Sequence, residues 1–267
     1  MTQMSQLLAL SPQNLAGKFW RRPSGFLFAA DRQVIPLVGA EIAKASVSMP
    51  IGFIQAGDIY MLVAFTSPTP GNNLYIGPDG KWLGNYVPAA LRAHPFHLVS
   101  PEPGADAVLC IDEASGLISD TPEGNEPFFN ENGQPTQNIL DTLNFLAQTE
   151  QNRIPTQLAV NAVVAAGLMQ PWPISVQSGE QQVPVTGLFR IDEARLNQLS
   201  DEDFLKLRAA SALPLIYAQL LSIGQLALLE RLGTIQRDLA LQHQQLTQPL
   251  GNLGGFTLGD DGDLKFH

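Results

Sequence analysis

The side chains whose types and spacing could do chemistry fall in a few places along this chain. His94 and His97 form a His-x-x-His pair, a spacing that can present two imidazoles to a divalent metal. A proline, Pro95, interrupts the pair and no third ligand follows at metal-site spacing, so the pair reads as a loop end and no metal ligand set is assigned. Asp112-Glu113 and Asp192-Glu193 each follow an isoleucine at the end of an apolar run. Paired carboxylates can do acid–base work or hold a cation. More often such a pair starts a helix, where negative charge suits the helix dipole. Cys110 lies inside an apolar run and reads as a buried thiol rather than a nucleophile. Ser24-Gly25 and Ser115-Gly116 lack the frame of a nucleophile elbow, and no glycine-rich nucleotide-binding frame is present.

The remaining candidates concern recognition. Trp82, Tyr86, Arg92 and Phe96 fall within fifteen residues and could line a contact surface, since Trp, Tyr and Arg carry most interface energy. They could equally be the packing contacts of a short helix on a sheet. Phe19-Trp20-Arg21-Arg22 poses the same choice, with an amphipathic strand leading into Phe26-Leu27-Phe28 as the simpler reading.

Those residues need elements to position them, and composition bounds what is available. With 267 residues, 45% hydrophobic, the chain can bury a full core as one continuous domain or as two regions, 1–130 and 131–267. A net charge of −10 argues against a nucleic-acid partner, whose phosphates need a basic patch. The single cysteine excludes an intrachain disulfide and fits a reducing compartment. The N-terminal residues lack the basic and apolar regions of a signal peptide. Polar residues break the apolar runs before the roughly 20 residues a membrane span needs. The expectation is a cytoplasmic protein with no membrane span.

The pattern predicts an α+β protein: a mainly antiparallel N-terminal sheet, then a mostly helical C-terminal region with one inserted hairpin. Val34 opens a strand and a helix follows from about Gly39. Pro50–Phe53 and Ile59–Phe65 read as a buried hairpin around Gly57-Asp58. Asn72–Tyr86 reads as two more strands around the turn Gly77-Pro78-Asp79-Gly80, completing a sheet of about five strands. Val87-Pro88 then starts a short helix that Pro95 stops. Strand follows from His97 to Ile111 with a turn at Ser100–Gly104. A surface loop from Ser115 to Pro135 is pinned by Phe128-Phe129. Helical spacing then appears twice, over Thr136–Gln148 and from Thr156 to Gly167. A hairpin over Ile174–Val176 and Val183–Phe189 turns at Ser178-Gly179-Glu180. Ser200 caps a helix with Asp203 at the third helical position. Pro214–Gln248 is the longest helical pattern, with a break expected at Gly233. The tail from Phe256 to Phe266 reads as an edge hairpin. It resembles part of one glycine–aspartate calcium repeat, and a single copy cannot stack.

The run GNNLYIGPDGKWLGNYVPAALRAHPF resembles the central signature of the bacterial SapC family. The matching residues are Asn73-Leu74-Tyr75, Asp79-Gly80-Lys81-Trp82, Tyr86-Val87-Pro88-Ala89, Arg92 and Pro95-Phe96. The resemblance extends to Ile35-Pro36-Leu37 with Glu41, and to Leu215-Ile216-Tyr217-Ala218, so that it covers about Phe19 to Arg231. Ala93 and His94 replace an Arg and a Tyr of the family pattern, and Gln219 stands where relatives carry His. The resemblance implies a non-enzymatic binding or accessory protein without a cofactor. It would act through protein or peptide contacts at the central hairpin–helix, with Trp82, Tyr86, Arg92 and Phe96 as binding residues and a homo-oligomer as an option. Two alternatives stay open: an enzyme or metal-dependent accessory using His94, His97, Asp112 and Glu113, and a structural component of a surface layer, from whose loci the family takes its name.

Overall fold

The computed structural model describes residues 6–100, 106–178 and 181–247. In chain order, β1 (Leu7–Ala9), the single turn α1 (Pro12–Leu15) and β2 (Phe19–Trp20) come first. β3 (Val34–Pro36), α2 (Ile42–Ala45), β4 (Ile51–Ala56) and β5 (Ile59–Phe65) follow, then α3 (Ala89–Arg92), β6 (Phe96–Val99) and β7 (Val108–Asp112). The two-residue strands β8 (Ile118–Ser119) and β9 (Glu126–Pro127) precede the long α4 (Gln137–Ala165). β10 (Met169–Pro171), β11 (Ile174–Ser178), β12 (Gln181–Val185) and β13 (Leu188–Ile191) lead to the last helices. These are α5 (Glu193–Leu196), α6 (Asp201–Ala209), α7 (Leu213–Ser222) and α8 (Leu226–Thr247). The arrangement is α+β, with antiparallel sheets dominating the first half and helices the second.

The central sheet grows from the expected hairpin. β4 and β5 pair from Ile51↔Ala64 to Ala56↔Ile59, and Phe53, Val63 and Phe65 are fully buried. Its other members differ from expectation. The order is β10-β13-β4-β5-β3, so two of the five strands come from after α4 and none from Asn72–Tyr86. That stretch makes one bridge, Ile76↔Trp82. The buried Asn73 explains why: its Oδ1 accepts from the Tyr75 amide at 3.0 Å, and such local bonds compete with a strand ladder. The inserted hairpin is β11–β12, and β13 leaves it after Gly187 (φ 82°) to pair with β4. Gln219 fixes that pairing from α7. Fully buried, it accepts from the Ile191 amide at 3.0 Å and donates to the Ile51 carbonyl at 3.2 Å.

A second cluster forms where β1-β7-β6 and β8-β2-β9 meet the start of α4. Trp20 packs edge-on to Phe96 at 4.8 Å, and Phe128, fully buried, pins its loop as the sequence suggests.

The two expected helices between Thr136 and Gly167 are one, and Pro155 sits inside it. An interior proline costs about 3 kcal/mol. Here it is exposed, and the carbonyl it leaves unpaired is that of Gln151, also exposed. Burial of Ile139, Val160 and Val163, worth about 1.5–3 kcal/mol each, outweighs the loss. In the last helical stretch the interruption is a 3-10 turn at Ile223–Gln225, and α8 runs through Gly233. A Cβ at Gly233 would meet Leu74 only at 3.9 Å, so nothing there forces a break.

The run Leu213–Gln242 is, by length and composition, long and apolar enough to cross a membrane; no charge interrupts it before Glu230. Its inner face, with Leu215, Ile216, Leu229 and Leu232, packs into the main core. Ser200 caps α6 through the Asp203 amide at 3.1 Å, as expected. The turn after Ser100, the Gly179–Glu180 hairpin tip and the Phe256–Phe266 hairpin lie outside the described residues.

Candidate functional site

The signature segment is built inward before it turns outward. Its turn closes through Gly77 N to Lys81 O (2.8 Å), with Gly80 at φ 80°, a conformation open to glycine. The Gly80 carbonyl accepts from Phe26 N at 2.7 Å, which docks the turn on the preceding segment. Tyr75 and Trp82 stack at 5.2 Å, and a Cβ at Gly84 would lie 2.7 Å from the Tyr75 ring. Trp82 Nε1 donates to the Tyr86 carbonyl at 2.9 Å, and buried Tyr75 Oη donates to the Ser48 carbonyl at 3.1 Å.

Glu41 joins this segment to α3. It is buried, and its Oε2 accepts from Val38 N at 3.1 Å. Its Oε1 accepts from Tyr86 Oη at 2.7 Å and from Ala89 N at 2.6 Å. Pro88 stands at the N-cap of α3, one position earlier than expected, and has no side-chain acceptor to offer. The Glu41 carboxylate serves the first helical amide instead. Burial first, and then the Glu41 carboxylate, push the Tyr86 phenol up to about 12. Tyr86 therefore stays a neutral donor.

Arg92 ends α3, exposed. Its guanidinium lies 4.7 Å from the Phe145 ring centroid and 5.9 Å from that of Tyr86. Among the described residues no carboxylate lies within ion-pair distance of it. Beside it opens a cleft of about 480 Å³ between α3 and α4, walled by Trp20, Phe26, Leu91, Phe96 and Phe145. Arg22 and Asn138 at its rim both hold Glu126, at 3.1 and 2.6 Å. The Trp20 indole N–H, buried in the wall, has no acceptor among the described residues.

The four expected contact residues therefore divide. Arg92 and Phe96 share the cleft, Phe96 as part of its buried floor, and Tyr86 flanks Arg92 on the other side. Trp82 does not line the cleft; it is half-buried beneath the segment, edge-on to Phe26 at 5.7 Å.

The residues of the alternative reading come together in part. His94 lines the cleft and stacks on Phe28 at 3.7 Å; burial lowers its pKa to about 4. Burial also lowers His97, and the nearby Asp112 opposes the shift in both. Asp112 itself caps the 3-10 turn Glu113–Ser115 through Ala114 N at 3.1 Å, and Asp192 caps α5 through Arg195 N at 3.0 Å. Both acidic pairs are helix starts. Cys110 is buried, and burial raises its thiol pKa. Among the described residues no three His, Cys, Asp or Glu side chains gather as a metal site.

The α4 wall of the cleft was not anticipated. Asn138, Asp141, Thr142 and Phe145 follow i, i+3, i+4, i+7 spacing, one helical face, and that periodicity was readable. What it faced was not.

The SapC family model matches residues 10–229, and the chain belongs to the SapC family. No curated protein matches it, and no solved structure does.

Proposed function

We propose that this SapC-family chain is a non-enzymatic binding or accessory protein that engages a protein or peptide partner at the cleft beside α3. Arg92 carries the reading. Its guanidinium is exposed, stacked on Phe145 and Tyr86, and among the described residues has no carboxylate within ion-pair distance, so it can take one from a partner. An ordered arginine among aromatic walls is the composition that concentrates binding energy at interfaces. The test is capture from lysate of the source organism with wild type and Arg92→Ala, each checked for folding by circular dichroism, and a photo-crosslinking residue at Thr142. The expected result is a partner held by wild type, crosslinked from position 142 and lost by Arg92→Ala. Equal capture by both, with no crosslink, would place the contact elsewhere.

A second reading has one observation in its favour. His94 is held neutral in the cleft wall with His97 and Asp112 near enough to affect it, a state suited to a base or a ligand. Stoichiometric metal on purified protein, lost in His94→Gln and in His97→Gln, would promote it. The surface-layer alternative predicts calcium-dependent self-assembly, which light scattering would detect.

A further inference from the structure

The cleft is not isolated. A hollow of about 180 Å³ adjoins it and shares Arg92 and Phe145 with it. A third, of about 340 Å³, shares Val38, Glu41 and Thr149 with the second. The contributions of α4 climb the helix without leaving one face. Asn138, Asp141, Thr142 and Phe145 line the first, Gln148 and Asn152 the second, and Arg153, Thr156 and Gln157 the third. At 1.5 Å per residue this face runs about 28 Å, which an extended chain covers in about eight or nine residues.

We infer that the three hollows are one track along α4, and that it takes an extended segment of a partner polypeptide with a carboxylate seated in the middle hollow. The inference rests on the binding reading above and specifies its ligand.

Charge selects the occupant. The chain carries 25 acidic residues against 15 Lys and Arg, yet Arg22, Lys44, Arg92 and Arg153 all line the track. At the two ends the cations are answered: Arg22 by Glu126 and Arg153 by Glu150. In the middle they are not. Lys44 and Arg92 both line that hollow, and among the described residues neither has a carboxylate within ion-pair distance. The one carboxylate lining it, Glu41, already accepts from Val38 N, Tyr86 Oη and Ala89 N. Two cations without an ion-pair partner, beside an acid that already holds three donors, favour an incoming anion. The hydroxyls of Thr142, Thr149 and Thr156 donate back to their own helix, which leaves Lys44 and Arg92 as the charged donors lining the middle hollow. The Gln148 side chain has no hydrogen bond among the described residues and lines the middle hollow, where its amide can pair with a main-chain peptide unit.

The test uses fluorescein-labelled nonapeptide pools on the full chain, read by anisotropy. The central residue is fixed as Glu, Gln or Lys, with the flanks randomised among Leu, Thr and Ala. The Glu pool should bind about tenfold tighter than the Lys pool, the difference expected of a charge-assisted bond. Lys44→Glu should erase that preference, and five-residue pools should bind more weakly than nine-residue ones. Circular dichroism and a Lys44→Gln control, which should keep part of the preference, guard against a folding defect. Pools bound equally whatever their central residue, but lost with Arg92→Ala, would overturn the acidic track and leave the cleft standing. Retention of a neutral oligosaccharide mixture with no peptide bound would overturn both.

Discussion

The two halves of the signature use similar residues for opposite purposes. From Asn72 to Tyr86, Asn73, Tyr75 and Trp82 all aim their polar atoms at backbone groups of this same chain. From Val87 to Phe96 the backbone is held by others, notably Glu41 at Ala89 N, and among the described residues Arg92 has no carboxylate within ion-pair distance. Aromatic residues fill cores and interface hot spots alike, so aromatic type alone cannot separate the halves. What separates them is whether the polar atom already has a partner.

That contrast can be broken or sharpened by measurement. Glu41 is where the halves join, and Glu41→Ala would strand three donors, two of them backbone amides. It should cost about 3–5 kcal/mol in urea unfolding and disturb both halves together. A loss under about 1 kcal/mol would mean that each half stands alone. Trp82→Ala removes the stacking partner of Tyr75 and should cost about 3 kcal/mol, while molecules that still fold keep their partner affinity. An affinity loss without a stability loss would return Trp82 to the recognition surface.

The cleft wall has its own signature in pH. The folded-state pKa of His94 lies near 4, below its ordinary 6.5, so the unfolded chain takes up the proton first as pH falls. Stability is therefore full above about pH 6.5, declines as pH falls towards 4 and levels off below. After discounting for partial exposure the decline should be about 1–2 kcal/mol, and His94→Gln should remove most of it. Smallest of all should be the effect of Arg92→Ala on stability, within about 0.5 kcal/mol, set against loss of binding.

Much of the fold was legible because local rules decided it. The β4–β5 hairpin, the caps at Asp112, Asp192 and Ser200, and the anchoring Phe128 each follow from a few neighbouring residues. The misreadings arose where distant partners overrode local preference. Leu74-Tyr75-Ile76 has strand propensity, but Asn73 supplies the acceptor and Gln236 of α8 donates to the Asn73 and Ile76 carbonyls. Pro155 marks a helix end by local rules, and burial along α4 carries the helix past it. In the sequence Gln219 stands out only by departing from the family histidine. Its position is a buried clamp between β4 and β13, which an amide fills by donating and accepting at once. Of the site, Arg92 was visible; Glu41 stood only among the residues of the family resemblance, its role unmarked, since nothing along the chain marks an acid as the acceptor for donors more than forty residues away.

The way α4 is held governs how anything could enter beside it. Thr156 Oγ1 accepts from Gly39 N at 2.7 Å near one end of the lining face, and Asn138 holds Glu126 at the other. The helix is thus a beam clamped at both supports, with Phe145, against which Arg92 of α3 stacks, between them. A beam held this way does not swing open like a door. It bows, and deflection is greatest at midspan, so an arriving chain would press the wall outward where the unanswered charges sit. Amide exchange along α4 would then quicken towards Phe145 and stay slow at both supports.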